Sequence, residues 1–331
     1  MTIEPLGETD LPALERLFED LALGIPRLNL DQFCRPRGPA DGIRIAGLAV
    51  REENRIGGAI GWLDLPFRSP ASGAIESARW PINIYLRPEL RGRGLGSKLM
   101  EATREGARFR IVIGGNAASI PVLERTGWKL LGELRCYRWR RPCLDPRRLS
   151  DRLSRGTRRA PPATLAVRAP SGVAGAIRAR RVESLRGRLP WLEPGLPRHG
   201  EAGTPRTEAY LTFAFGGPLA PYHLVHSVSV DGALAGYFVL GARAGRRGLL
   251  ECEIVDLDAV EGFEAHVVAA GRAAALTCAD VARLRCSAER FDRAALLNGA
   301  AAPTPDLPLR VSCDPSDEAA LPAAGAWHLT Y

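Results

Sequence analysis

Three glycines in five residues, set between a short apolar strand and the start of a helix, restrict this chain more than any other stretch. The run reads Arg91-Gly92-Arg93-Gly94-Leu95-Gly96, after Pro81 to Leu86 and before a helix whose core face is Leu95, Leu99 and Ala102. Glycines leave the backbone N–H groups uncovered by side chains. At a helix start those groups have no intrahelical acceptor, and the macrodipole adds partial positive charge. Such a turn cradles a phosphate or pyrophosphate. Two familiar cradles are excluded by the order of residues. A nucleotide P-loop needs Gly-Lys-Ser/Thr, and here Gly96 is followed by Ser97-Lys98. A dinucleotide turn needs Gly-x-Gly-x-x-Gly, and here the glycines fall at 92, 94 and 96.

What fits is Arg-x-x-Gly-x-Gly, preceded by a strand and Arg87-Pro88-Glu89. A second pattern follows the next strand: Asn116, Ser119, Leu123, Gly127 and Trp128, in the spacing Asn-x-x-Ala-x-x-Leu-Tyr-x-x-x-Gly-Phe with Ser for Ala and Leu for Tyr. Together the two resemble the coenzyme A loop and the following helix of the GNAT acyltransferase superfamily, over roughly residues 1–140.

The resemblance implies an α/β (α+β) fold of tandem GNAT-like domains, each a mixed central sheet flanked by helices. The divisions expected are a GNAT-like acyl-CoA-binding catalytic domain over 1–140, an Arg/Pro-rich connector over 141–164, and a degenerate GNAT-like domain over 165–331. It also implies direct acyl transfer from a thioester to an amine, with acetyl-CoA, the family's commonest donor, as co-substrate and no metal. The pyrophosphate clamp falls on Arg91, Gly92, Arg93, Gly94, Leu95 and Gly96. The donor to the thioester oxygen falls on the backbone near Leu86 or Arg87, and Asn116 and Ser119 would meet the pantetheine arm or the thiolate. Leu123 stands where the family usually places the tyrosine that protonates the departing thiolate. A thiol has a pKa near 8.5, so departure needs little help near neutral pH. Ser119 is then the candidate acid, with the N-cap of its helix as the alternative role. No base stands out: Glu76 precedes the central strand, and Asn83 and Tyr85 share its non-aliphatic face, opposite Ile82, Ile84 and Leu86. The acceptor is open among a small amine, an amino sugar and a peptide amine. A non-catalytic acyl-CoA-binding module, or an enzyme using a longer acyl donor or a peptide acceptor, is the alternative.

Along the chain, Thr2 to Leu6 reads as a strand, and Asp10 and Pro12 open a helix with Leu11, Leu14, Leu17, Phe18 and Leu21 on one stripe. Residues 24–41, with Pro26, Pro36 and Pro39, read as mostly loop, and the resemblance implies that this loop closes over the acceptor. Ile43 to Val50 and Ile56 to Leu65 are strands, Pro66 to Arg79 a loop, and Phe109 to Ile113 and Trp128 to Trp139 further strands. In the second half, Leu165 to Arg168 reads as a strand and Ser171 to Arg186 as a helix. Asp231-Gly232 marks a hairpin between His223–Val230 and Ala233–Gly241. Leu249 to Leu257, Leu284 to Ser287, Leu309 to Cys313 and Trp327 to Tyr331 are strands, and Phe263 to Arg283 is helical. Where a second cradle would stand the chain reads Asp258-Ala-Val-Glu-Gly262, so one coenzyme A site per chain is expected.

Charge, located, argues against nucleic acid as the partner. Ten arginines and two aspartates between Arg135 and Arg159 account for the whole net charge of +8, which makes this stretch a solvated basic connector. Seven cysteines without a Cys-x-x-Cys pair suit reduced thiols. No apolar run approaches a membrane span, and the acidic start MTIEPLGETD has no apolar signal core, so a cytoplasmic protein is expected. His223-x-x-His226 lies on a strand, where the two rings point to opposite faces, and is not read as a metal site. A homodimer is left open.

Overall fold

The computed structural model describes residues 1–20, 44–53, 55–69, 73–140, 162–182, 202–216, 223–244, 250–286, 288–313 and 327–328. The expected acceptor loop at 24–41 and most of the Arg-rich connector lie outside them. The chain divides into two units. The first comprises Met1–Glu133, Pro197–Pro205 and Leu307–Trp327; the second comprises Leu134–Leu196, Arg206–Asp306 and His328–Tyr331. The boundary therefore falls near 133 rather than 140, and each unit takes in a strand from the other half of the sequence.

In the first unit, β1 (Thr2–Pro5), β2 (Arg44–Glu52), β3 (Arg55–Arg68) and β4 (Ile75–Leu86) pair antiparallel in that order, and β5 (Phe109–Ile113) runs parallel to β4. The stretch from Pro66 to Arg79, expected as a loop, instead contains the end of β3 and the start of β4, with Ser69 N–H bonded to Ala74 O between them. Alternation carries one face onto α1 (Leu11–Asp20), whose Leu14, Leu17 and Phe18 bury against Ala49, Ile56 and Ala59. The other face carries Val50, Ile60 and Trp62 onto α2 (Leu95–Ala102) and α3 (Ile120–Arg125) through Leu95, Leu99 and Leu123.

The second unit starts from β6 (Lys129–Arg140) and includes β7 (Thr164–Val167), β8 (Ile177–Arg181), α4 (Glu208–Phe215), β10 (His223–Val230), β11 (Ala233–Ala244), β12 (Leu250–Ala259), α5 (Glu264–Cys278), β13 (Val281–Cys286) and α6 (Glu289–Leu297). The two-residue β9 (Ala202–Gly203) belongs to the first unit and meets β3 at Arg68. In the second sheet β7, β8, β10, β11 and β12 pair antiparallel, β13 is parallel to β12, and β6 closes the edge antiparallel to β13. The first sheet is closed the same way, by β14 (Thr304–Cys313) antiparallel to β5. The first sheet's ladder pattern thus recurs in the second, with β7 as an extra edge strand.

Two readings are corrected here. The helical reading of Ser171 to Arg186 does not hold over its described part, 171–182: a turn around Gly172 and Gly175, both at positive φ, leads into β8, whose Ile177 and Ala179 fill the core. The helical reading of Phe263 to Arg283 ran too far. Ala279 turns extended and ends α5, and Val281 begins β13. The Asp231-Gly232 hairpin is as expected, with both residues at positive φ, 51° and 87°. No helix among the described residues is long and apolar enough to cross a membrane.

Candidate functional site

The bend that opens the first sheet lies at Asn83. Ile84 pairs with Ile60 and Ile82 with Gly61, so Asn83 is an extra residue in β4. A bulge shifts the phase of alternation. Ile84 and Leu86 consequently face α2, while Ile82, paired with Gly61, lies on the opposite face. The three isoleucine and leucine residues do not share one face, as plain alternation had implied. Below the bulge, β4 and β5 pair at Ala78–Phe109 and Arg79–Arg110; above it no register pair joins them. The two strands separate towards the ends that carry the candidate site.

That gap exposes specific backbone groups. Arg87 N–H donates to Gly57 O at 2.9 Å, on the β3 side. Neighbouring residues of a strand point their N–H and C=O groups to opposite edges, so Leu86 presents its pair towards the gap. Arg91 Nε donates to Leu86 O at 3.1 Å, which agrees. Of the two expected oxygen donors, the Leu86 N–H is therefore free of the β3 ladder and the Arg87 N–H is not. The Arg87 side chain is also engaged, at 2.6 Å from Asp20 and 3.2 Å from Ile56 O.

The glycine turn follows. Gly92 and Gly94 stand at φ 76° and 74°, and a Cβ at either position would meet nothing within 4 Å. Left-handed backbone favours glycine, and here the space above it is open. Lys98 N–H is the first to take up a carbonyl of the turn, Gly94 O at 3.1 Å. Among the described residues, the N–H groups from Gly92 to Ser97 have no backbone acceptor. Gly96 differs: a Cβ there would make ordinary contacts with Val122 and Leu86 at 3.5 and 3.6 Å, where α2 packs on α3 and β4. Arg91 is drawn back onto Leu86 O, whereas Arg93 is exposed at the rim.

The axis of α2 is set from its other end. Buried Arg79 bridges Asp64 through two contacts of 2.6 and 3.1 Å and donates to the carbonyls of Thr103 and Glu105 at 3.1 and 2.7 Å. A fixed cation at the helix C-terminus complements the dipole. The opposite, positive end is thereby held against the open turn.

At the end of β5, Gly114 and Gly115 take positive φ and lead to Asn116. Asn116 Oδ1 accepts from the N–H groups of Ala118 and Ser119, both at 3.0 Å, and Asn116 N–H donates to Ser119 Oγ at 2.9 Å. This is a reciprocal cap: Ser119 stands at the N-cap of α3, as foreseen, without a bond from its own side chain to the helix, and Asn116 takes up the N–H groups of the turn before it. Leu123 is buried among Leu95, Leu99, Val112 and Trp128. Tyr85 packs edge-on against Phe18 of α1, ring centroids 4.9 Å apart. Glu76 lies at the opposite end of β4 from Leu86, ten residues or roughly 33 Å along the strand. Its carboxylate pairs with Arg108 at 3.0 and 3.1 Å. The structure thus brings Leu86, the 91–96 turn, Asn116 and Ser119 to one end of the sheet and leaves Glu76 at the other. The bulge and the Gly114-Gly115 bend went unread in the sequence, although the double glycine at the end of an apolar strand was a usable signal.

Among the described residues, no group of three or more His, Cys, Asp and Glu side chains could hold a metal. A family model described as the acetyltransferase (GNAT) family matches residues 16–128. Over residues 16–128 the chain is similar to that family's acetyltransferase domain. Solved structures extend the likeness of fold to the whole chain. A tandem GNAT protein from the clavulanic acid biosynthesis pathway superposes with a TM-score of 0.55 at 13% identity, covering 94% of this chain and 98% of its own. A conserved Enterococcus faecalis protein titled a probable N-acyltransferase gives 0.60 at 11%, covering 94% and 72%. A GCN5-related N-acetyltransferase from Kribbella flavida gives 0.57 at 15%, covering 94% and 70%. Compared by sequence with curated proteins, the chain has no match.

The second unit repeats the bulge of the first without the cradle. Asp256 pairs with Val239 and Ile254 with Leu240, so Val255 is the extra residue of β12, and β12–β13 pairing ends at Ile254–Leu284. Beyond that point stands a buried polar cluster. The Arg206 guanidinium lies 3.3 Å from Asp256, and Tyr237 OH donates to Asp256 at 2.8 Å. Burial pushes the Tyr210 phenol up to about 12, with Asp256 acting in the same direction. At the start of α5, Asp258 is paired with Arg290 at 2.8 Å and Glu261 is exposed. Acidic residues at this helix start disfavour an anionic ligand.

Proposed function

We propose that the first unit is a coenzyme A-dependent N-acyltransferase that moves an acetyl group from acetyl-CoA to a primary amine by direct attack. The observation that carries this reading is the open left-handed turn at Gly92 and Gly94, set at the helix end beside the separated strands β4 and β5. The pyrophosphate would meet the N–H groups of Gly92 to Ser97, with Arg93 at the rim as a charge partner. The pantetheine arm would lie between β4 and β5, beyond Arg79 and Arg110. The Leu86 N–H would donate to the thioester oxygen, which gains negative charge as the amine nitrogen attacks the carbonyl carbon. The C–S bond then breaks and the thiolate leaves, while the attacking nitrogen loses a proton. Asn83 at the bulge and Tyr85 beyond it are the β4 positions nearest that carbon, and a water chain can carry the proton out.

The acceptor is a small amine, an amino sugar or a peptide amine, and the protein works where acetyl-CoA is free in solution, the cytoplasm. Calorimetric titration with acetyl-CoA tests the cradle. Thiol release with a panel of amines tests transfer; binding without release in any amine pool would defeat the enzymatic reading. One observation favours a second reading, a module that binds acyl-CoA without catalysis. The position of the family's tyrosine is Leu123, buried in the core, and the Ser119 hydroxyl is tied to the Asn116 backbone.

A further inference from the structure

We infer that Cys252 and Cys278 of the second unit form an oxidation site, which a hydroperoxide closes to a disulfide. Cys252 is the third residue of β12 and Cys278 the last of α5. α5 returns along the sheet, so its end comes back to the start of β12. The connection after it is tied down there: Asp280 N–H donates to Leu250 O at 2.9 Å, and Leu250 N–H donates to the Asp280 carboxylate at 3.1 Å. Cys252 belongs to the core that α5 covers, and Cys278 packs against that same core. The two thiols meet in a side-chain hydrogen bond.

The two sulfurs are unequal, which gives each a role. Cys252 is buried, whereas Cys278 is half-buried and within reach of a small oxidant. The hydrogen bond with Cys252 holds the Cys278 thiol below the ordinary thiol range, against the opposing effect of burial. The same bond, together with burial, keeps the proton on Cys252. The thiolate is the nucleophile towards a peroxide, so Cys278 reacts first. Its sulfur attacks one oxygen of hydrogen peroxide and the O–O bond breaks. A sulfenic acid forms, and the departing hydroxide takes up the proton that Cys278 gave up. The Cys252 sulfur then attacks the Cys278 sulfur, the S–O bond breaks, and the hydroxyl leaves as water with the Cys252 proton. Two thiols thus lose two electrons to one peroxide, giving one disulfide and two waters. Cys286 is the contrast: it is 0% exposed, its thiol donates to Ala288 O, and burial pushes it up to about 12. It serves as packing. A disulfide between Cys252 and Cys278 would pin the end of α5 to β12 and restrict the unfolded chain between them, which stabilises the fold. Disulfides of cytosolic proteins are chiefly of this transient, oxidant-responsive kind.

The test uses the full chain, reduced, freed of reductant and treated with a small excess of hydrogen peroxide, then alkylated and digested with trypsin. Before alkylation the intact mass should fall by two hydrogens. Peptides 248–272 and 273–283, which carry Cys252 and Cys278 separately, should appear joined, and dithiothreitol should part them. In C252S the Cys278 sulfenic acid has no thiol to resolve it. Dimedone should trap it there roughly tenfold or more faster than any adduct forms at Cys252 in C278S. Cys286 should stay unlabelled in both. The melting temperature of the unaltered chain should rise on oxidation, and that of C252S/C278S should not. Failure to join the two peptides would overturn the assignment and leave both thiols as core packing. So would a bond from either cysteine to Cys34, Cys143 or Cys313, or equal labelling rates in the two single variants.

Discussion

Gly94 and Leu123 illustrate opposite constraints on single residues. At Gly94 the space is open and the backbone is left-handed. Gly94→Ala should lower stability by about 1 kcal/mol through strain alone. Gly94→Asp adds a carboxylate where phosphates would lie, and should reduce coenzyme A affinity far more than Arg93→Ala. Calorimetry on both folded variants checks this, and an unchanged affinity in Gly94→Asp would sink the cradle. At Leu123 there is no space. Restoring the family's tyrosine should overpack the core and cost about 1–3 kcal/mol, read as a lower melting temperature, without raising turnover. Ser119→Ala removes one half of the reciprocal cap, so about 1 kcal/mol of stability should go while turnover falls tenfold or less. Loss of turnover with coenzyme A affinity intact would instead make Ser119 the acid.

Among the elements, β10 carries a built-in pH dependence. His226 is 1% exposed, stacks on Phe238 at 4.8 Å, and has no partner for Nε2 among the described residues. Burial pushes its pKa down to about 4, opposed by the bond from Nδ1 to Leu224 O and assisted by Arg181. The folded state therefore holds this ring neutral at a pH where the unfolded chain protonates it. Its contribution is whole above pH 6.5 and is lost as pH falls towards 4, by up to about 3 kcal/mol. Denaturant titrations at pH 7 and pH 4.5 should show the loss, and His226→Phe should reduce it; an equal loss in that variant would place the dependence elsewhere. The other histidine of the pair, His223, lies against Phe215 on the opposite face, at 5.2 Å between centroids.

For the molecule as a whole, the exchange of closing strands has a consequence that contiguous domains would not have. A fragment ending at residue 140 lacks 304–313, the strand that closes the first sheet against β5. Such an edge is left unpaired, and Arg110 loses Ser312. The fragment should fail to melt cooperatively or should aggregate, whereas 1–140 with residues 304–313 linked behind it should recover a transition in circular dichroism. A cooperative melt for the bare fragment would show that β14 is dispensable. The full chain should bind one equivalent of coenzyme A, because the second bulge is followed by Asp258, Glu261 and a single glycine turn. A calorimetric stoichiometry of two would refute that.

What the sequence determined by itself is local. Glycines at 92, 94 and 96 between strand and helix, Asn116 before a helix start and Asp231-Gly232 between apolar runs all act through backbone conformation within a few residues. Their structures could be read before any tertiary contact was known. The tertiary structure decided matters that depend on partners distant in sequence. The phase of β4 turns on the register against β3, so no pattern within Ile82-Asn83-Ile84 announces the bulge. The helical reading failed over 171–182 because pairing of β8 with β7 and β10 outweighs local propensity. Leu123 and Ser119 lost their open roles to packing and to a cap, and Glu76 lay along the strand from the site, beyond the reach of any side chain. The closing strands β6 and β14 were visible as strands, but which sheet each completes is set by long-range pairing, and nothing local to either segment encodes it.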